Sequence, residues 1–252
     1  MSLEKFKSLH NQNQPLLIAN TWDAISSKAA EKAGFQVIGT SSHAIANILG
    51  YEDGENIPFE EMFFMVEKIA KSTSLLVSAD FESGYSDDPQ QVAKNVEKLV
   101  DAGILGINLE DGLTNGKDRS LGDISVLTDK IKAIKSHLQS KGKDIYINAR
   151  IDTYTTKHPD AISETLKRIK AYETAGADGF FVPLINTDKD IKAVLETTKL
   201  PLNVFMKDGL KTYEEFAALG VHRVSYGNGI HAKITEDTNK AFDDLMKTKS
   251  LS

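Results

Sequence analysis

The sequence predicts an α/β chain of eight βα units closed into a (β/α)8 TIM barrel, and three observations carry that expectation. Short apolar runs alternate with segments of helical period almost from end to end. Glycine recurs where the helices should stop, and charged residues close three of the apolar runs, where a buried parallel strand would reach the barrel mouth. A chain of 252 residues with 40% hydrophobic content can bury one large core. The barrel is therefore expected to be a single domain spanning residues 1–252.

The expected strands, in order, are Leu16–Asn20, Val37–Ser42, Leu75–Asp80, Gly106–Asp111, Ile145–Arg150, Gly179–Leu184, Leu202–Met206 and Arg223–Gly227. Runs this short and this apolar suit strands buried on both faces of a parallel sheet. Between them, Val92, Val96, Leu99 and Val100 form one apolar stripe, and Ile162, Leu166 and Ile169 another, at the spacing of helices that pack on a sheet. Ala33-Gly34, Ala102-Gly103, Ala175-Gly176 and Leu219-Gly220 read as helix ends, because glycine accepts the left-handed conformation that follows a last turn. The final helical stretch, His231 to Lys247, mixes charge with Ile234, Phe242, Leu245 and Met246.

Composition narrows the function. A net charge of −6 offers no basic stripe, so nucleic acid is not an expected partner. The absence of cysteine excludes disulfides, thiolate metal sites and a cysteine nucleophile. The N-terminus MSLEKFKSLHNQNQP has no signal-type apolar block and no run of membrane-spanning length follows, so the expectation is a cytoplasmic protein with no membrane partner.

The chemistry is concentrated where the strands should end. Asp80 and Glu82 follow LLVSA, Glu110 and Asp111 follow GINL, and Arg150 follows IYINA. Alternation along a strand would turn Asp80 and Glu82 to one side, with Phe81 opposite. If the strands are neighbours, Asp80, Glu82 and Glu110 gather at one mouth. Two carboxylates about 4 Å apart repel by roughly 4 kcal/mol at an effective dielectric near 20, which a hard divalent cation would relieve. With Arg150 beside them, the mouth suits an anionic substrate held on Mg²⁺.

The runs IANTWDAISSKAAEKAGFQVIGTSSHAIANILGYEDGE, SADFESGY, INLEDG, NARID and PLNVF, spread in order over residues 15–230, resemble the isocitrate lyase/phosphoenolpyruvate mutase superfamily. The resemblance implies a (β/α)8 barrel that binds Mg²⁺, with Mn²⁺ as its substitute, and a 2-oxo or 2-hydroxy carboxylate. The bond broken or made would be a C–C or P–C bond next to an enolate. It puts metal-site acids at Asp80, Glu82 and Glu110, with DFESGY standing where DADTGY is more usual. It gives Arg150 a contact to the substrate carboxylate or enolate oxygen, a role compatible with neutralising the acids. Ser41, Ser42 and His43 fall where hydroxyl and backbone N–H groups hold the substrate carboxylate; His43 could touch substrate or simply hydrogen-bond in the mouth. Trp22 matches an aromatic packed over that carboxylate, and Asn203 an inward polar residue. Asp53 matches an acid that orients a water or acts as a base, though LGYEDG also reads as a plain surface turn.

The departure from the family lies after Glu110, where EDGLTNGKDRSLGD replaces the KKCGH-type lid of the C–C lyases. The mutases' lysine–x–asparagine pair is matched only by a displaced Lys117 followed by Asp118, and FVPLIN lacks the histidine of phosphoryl-transferring members. Gly112, Gly116 and Gly122 read as hinges of a mobile lid, with Lys117 or Arg119 swinging in to meet a charged substrate end. The expected activity is Mg²⁺-dependent cleavage of a C–C bond in an oxaloacetate-like acid, as a lyase or hydrolase, through pyruvate enolate. A phosphonopyruvate/phosphoenolpyruvate P–C mutase or hydrolase and a non-catalytic carboxylate-binding protein remain open at this point. The resemblance also implies a homodimer or homotetramer, with the C-terminal helix a candidate for exchange between subunits.

Overall fold

The computed structural model describes residues 2–115 and 118–250. Eight parallel strands close into a barrel: β1 (Leu16–Thr21), β2 (Val37–Thr40), β3 (Leu76–Asp80), β4 (Gly106–Glu110), β7 (Tyr146–Arg150), β8 (Gly179–Phe181), β9 (Leu202–Phe205) and β10 (Arg223–Ser225). Their order around the barrel follows the chain, with β10 pairing back onto β1. All eight expected strands are present, most of them shorter at the mouth than expected. Ser41 leaves β2 to cap the next helix, accepting from the Ala44 N–H at 3.3 Å. The sixth barrel strand stops at Phe181, and Leu184, inside its expected span, sits at φ +63°.

The helices are α1 (Leu3–Ser8), α2 (Ala24–Lys32), α3 (Ser42–Ile48), α4 (Phe59–Lys71), α5 (Pro89–Asp101), α6 (Ile124–Ser140), α7 (Ala161–Ala175), α8 (Asp188–Thr197), α9 (Tyr213–Ala218) and α10 (Gly229–Thr248). Their buried stripes, such as Val92, Val96 and Leu99 of α5, face the outer surface of the strands in one large apolar cluster. A smaller cluster of Phe6, Leu9, Leu16, Ile18, Val37, Leu76 and Tyr146 closes the amino end of the barrel beneath α1. Gly34, Gly103, Gly176 and Gly220 all take φ between +84° and +111°, the left-handed residues that end helices. Among the described residues no helix is long and apolar enough to cross a membrane.

One element differs from expectation. The segment read as a hinged loop forms an antiparallel ribbon, β5 (Gly112–Asn115) with β6 (Asp118–Leu121), in register Gly112↔Leu121 and Asn115↔Asp118. Gly112 is needed for close approach: a Cβ there would strike the Asp152 carboxylate and come within 2.9 Å of Arg119 Nε.

Candidate active site

At the carboxyl mouth lies a cavity of about 290 Å³, bordered by Asn20, Ser41, Asp80, Asn108 and Arg150 on one side and Phe181, Phe205 and Ser225 on the other. Asn20, Asp80, Arg150, Phe181, Phe205 and Ser225 are the last inward residues of their strands, Asn108 lies one inward position below Glu110, and Ser41 follows β2. His43, Asp53 and Arg119 reach the same cavity from the loops above.

Asp80 is clasped by the turn that follows β2. Its N–H donates to Thr40 Oγ1 at 2.9 Å, and its Oδ2 accepts from Ser42 Oγ at 2.7 Å and from the Ser42 N–H at 3.3 Å. His43 Nδ1 lies 3.3 Å from Asp53 Oδ2, and this contact raises the imidazole's affinity for its proton. Burial opposes ionisation of Asp53, but His43, Arg119 and Arg150 outweigh it and hold the carboxyl below its ordinary value.

Glu110 stands between two guanidiniums. Arg150 Nη1 meets its Oε2 at 2.8 Å, and Arg119, from the ribbon, bonds its Oε1. Both arginines also face Asp152, a fully buried acid two residues beyond Arg150: Arg150 Nε donates to its Oδ1 at 3.0 Å, and Arg119 Nε lies 3.4 Å from its Oδ2. Burial pushes the Glu110 carboxyl up while the arginines pull it down. The carboxylates of Asp152 and Glu110 in turn hold Arg150 firmly protonated against the cost of its burial.

Glu82 does not follow strand alternation. β3 ends at Asp80, and Glu82 takes φ +47°, which turns it out of the strand. Its Oε2 accepts from the Glu55 N–H at 2.8 Å and its Oε1 from Tyr85 OH at 2.9 Å. It borders a second cavity of about 260 Å³ with Glu55, Asp87 and Glu110. Burial, reinforced by Glu110, Asp80 and Glu55, pushes its carboxyl up to about 9. Glu55 returns the contact by accepting from the Ser83 and Tyr85 N–H groups at 2.8 and 2.9 Å, so the turn after β3 is knotted in place. Glu55, Glu82 and Tyr85 all carry positive φ, a local strain this network sustains. Among the described residues no three His, Asp or Glu groups converge as a cage for a metal ion.

The remaining expected residues lie around this centre. Trp22 is buried edge-on against His231, with ring centroids 4.9 Å apart, and does not border the cavity. Asn203 lies below the cavity, where its Oδ1 accepts from Asn148 Nδ2 at 3.1 Å; Asn148 also donates to Asn108 at 2.8 Å. Lys117 lies outside the described residues. Sequence reasoning gave no role to Asp152, although NARID places it two residues past Arg150. It also passed over Asn20, whose Oδ1 accepts from the Tyr226 and Gly227 N–H groups at 3.0 and 2.8 Å and so shapes the turn after β10, where Gly227 and Asn228 border the cavity.

A closed parallel barrel with acids and arginines collected at its carboxyl mouth has the architecture of a (β/α)8 enzyme. The family model of phosphoenolpyruvate phosphomutase matches residues 6–246, and the chain belongs to this family, within the isocitrate lyase/phosphoenolpyruvate mutase superfamily of enzymes. It is 34% identical over 223 residues to an uncharacterized protein of Mycobacterium tuberculosis, covering 88% of this chain and 81% of that one. An oxaloacetate decarboxylase of Rhodopseudomonas palustris is 26% identical over 231 residues, covering 90% and 78%. A crystal structure of a provisionally named phosphonomutase from Burkholderia cenocepacia superposes with a TM-score of 0.89 at 33% identity, covering 96% and 98% of the two chains.

Proposed function

We propose that the protein is a Mg²⁺-dependent lyase or hydrolase that cleaves a C–C bond of a small oxaloacetate-like 2-oxo dicarboxylate. In the lyase reading the C3–C4 bond breaks, the distal carboxylate leaves as CO₂, and the pyruvate enolate left behind takes a proton. The observation that carries this reading is the convergence of Arg119 and Arg150 on Glu110 at the edge of a cavity that Asp80 also borders. Two guanidiniums beside one small cavity suit a dianion.

The donor set also suits the metal. Asp80, Glu82 and Glu110 supply only hard oxygens, and the upward pull on Glu82 from its acidic neighbours is the mark of charge a cation would relieve. Mg²⁺ commonly takes one or two carboxylates and keeps several waters, so Asp80 would hold it directly, with Glu82 and Glu110 acting through waters. When bound, the ion would act as a Lewis acid on the substrate's 2-oxo oxygen.

The chain's own groups then do the rest. The His43 N–H at the start of α3, with the Ser41 hydroxyl, receives the substrate carboxylate, while Ser42, committed to Asp80, holds that acid beside it. Arg150, fixed in orientation by Asp152 and Glu110, offers its remaining N–H groups to the oxygen on which charge grows as the bond breaks. Arg119 meets the distal carboxylate from the ribbon, and the His43–Asp53 pair is placed to handle the proton or a water.

The likeness to the Burkholderia protein supports a second reading, P–C bond chemistry on phosphonopyruvate over the same platform. Initial rates of product release, read both as pyruvate and as phosphoenolpyruvate, from oxaloacetate, substituted malates and phosphonopyruvate separate the two. The expected result is release from an oxaloacetate-like acid, abolished by EDTA and restored by Mg²⁺ or Mn²⁺, with weaker metal binding in Asp80→Ala. Full activity after stringent chelation would overturn the metal requirement, and release from phosphonopyruvate alone would establish the second reading. Binding without turnover across the panel would leave a carboxylate-binding protein.

We further propose a cytoplasmic homo-oligomer. The support for the oligomer is α10, which buries only His231 against its own barrel while Ile230, Ile234, Phe242 and Met246 stand exposed, a face suited to a second copy.

A further inference from the structure

The inward face of each strand continues downward from the active-site floor. Two residues below Asp80 lies Ser78, two below Ser225 lies Arg223, and four below Arg150 lies Tyr146. Gly106 and Gly179 contribute no side chain to this layer. A Cβ on Gly106 would come within 3.2 Å of Ser78 Oγ and 2.9 Å of the Phe6 ring, and a Cβ on Gly179 would strike the Tyr146 hydroxyl. Ser78, Tyr146 and Arg223 therefore all face the interior toward the closed end of the barrel, where Arg223 is near enough to Tyr146 and His10 to act on both electrostatically. Just past α1, the His10 ring stacks on Tyr146 with centroids 4.6 Å apart and planes 15° apart.

The bonding among these groups is incomplete. Arg223 Nε and Nη1, the Tyr146 hydroxyl, Ser78 Oγ and His10 Nε2 are all buried and have no hydrogen-bond partner among the described residues. His10 Nδ1 is already engaged with the Phe6 carbonyl at 3.0 Å. Arg119, Arg150 and Arg168 each pair with a carboxylate, yet Arg223, only 2% exposed, joins no ion pair among the described residues. Burial lowers its pKa to about 10, which still leaves it a cation at neutral pH. A neutral water would satisfy its N–H groups without balancing its charge, and buried charges are ordinarily paired. Asp80 supplies only a distant field, since its oxygen is held by Ser42 on the floor above.

We propose that this buried cluster is a binding site for a small monovalent inorganic anion of chloride size, held by Arg223, Tyr146 and Ser78. The side chains supply N–H and O–H donors around a cationic centre, the recognition chemistry of a halide. Each of the three is at most 2% exposed, so the ligand must be small and must enter by local opening of α1. The site is separate from the mouth cavity and independent of the reaction proposed above.

Bromide in place of chloride gives the direct test, by anomalous diffraction from crystals of the full chain. A bromide peak within hydrogen-bond distance of Arg223 and Tyr146 is expected. In solution, the thermal midpoint should rise saturably by about 5 °C in chloride at roughly a hundredfold its Kd, relative to gluconate at equal ionic strength. Tyr146→Phe should weaken the apparent chloride affinity by about tenfold, and Arg223→Met should remove the chloride dependence. Should Arg223→Met fail to fold, the bromide map and Tyr146→Phe decide. A water without anomalous signal at this position, or equal midpoints in the two salts, would overturn the proposal.

Discussion

Arg150 depends on its neighbours for its aim. One edge of its guanidinium is committed to Asp152 and another N–H to Glu110, which fixes the plane of the fork before any ligand arrives. A lysine would keep the charge and lose both the fork and its preset direction. Arg150→Lys is therefore expected to lower kcat/KM by about a hundredfold. Asp152→Asn, which keeps shape and removes charge, should cost about tenfold, and initial-rate kinetics on the active substrate measure both. Unchanged kinetics in Arg150→Lys would leave Arg150 as a neutraliser of the acids only. The charges at strand ends were legible because a buried strand has few reasons to finish on Asp, Glu or Arg except at a mouth. Glu82 lies near Asp80 and Glu110 but not by alternation, which holds only while the strand lasts, and its φ of +47° lies beyond the end. Asp152 was passed over because its partners come together only after the ribbon has folded.

On the proposed reading, the ribbon of β5 and β6 is the element that sets specificity. Its base is fixed: the Gly122 N–H donates to the Asp111 carbonyl at 2.8 Å, and Arg168 bonds the Gly122 carbonyl at 2.8 Å and the Asp111 carboxylate at 2.9 Å. The Tyr172 hydroxyl donates to that same carboxylate at 2.8 Å. Asp111, grouped with Glu110 as a strand-end acid in the sequence, thus anchors the ribbon from beneath. Arg119 projects from the ribbon onto Glu110 and Asp152, so a dianion entering the cavity would take over its charge from those acids. Arg119→Ala is expected to lower turnover by about tenfold or more while changing oxalate affinity much less, because oxalate is too short to engage both the α3 end and the ribbon. Rates beside calorimetric oxalate binding decide it; a variant as fast as the parent on every active substrate would remove Arg119 from specificity. GLTN and DRSL carry too few apolar residues for a strand signal, which is why this ribbon read as a loop.

At the scale of the whole molecule, the apolar rhythm foretold the barrel, because strands buried on both faces must be apolar almost throughout. What the rhythm could not disclose is the polar interior: RVS and LVSAD look like ordinary strands, and only closure turns Arg223 and Ser78 toward one axis. His10 shows the cost of that arrangement. Burial, with a smaller contribution from Arg223, lowers its pKa from 6.5 to about 3. Above pH 6.5 the imidazole is neutral in folded and unfolded chains alike and leaves stability unaffected. Between 6.5 and about 3 the unfolded chain binds a proton that the folded chain refuses, so stability falls as the pH falls, and below that window the loss is complete. At pH 4.5 the loss from this one residue is about 2–3 kcal/mol. His10→Gln keeps a donor for the Phe6 carbonyl and cannot titrate, so its urea midpoint in halide-free buffer should fall less between pH 7 and 4.5 than that of the parent. Parallel pH dependence in the two proteins would show that His10 accepts its proton without unfolding, and that the closed end of the barrel is open to solvent.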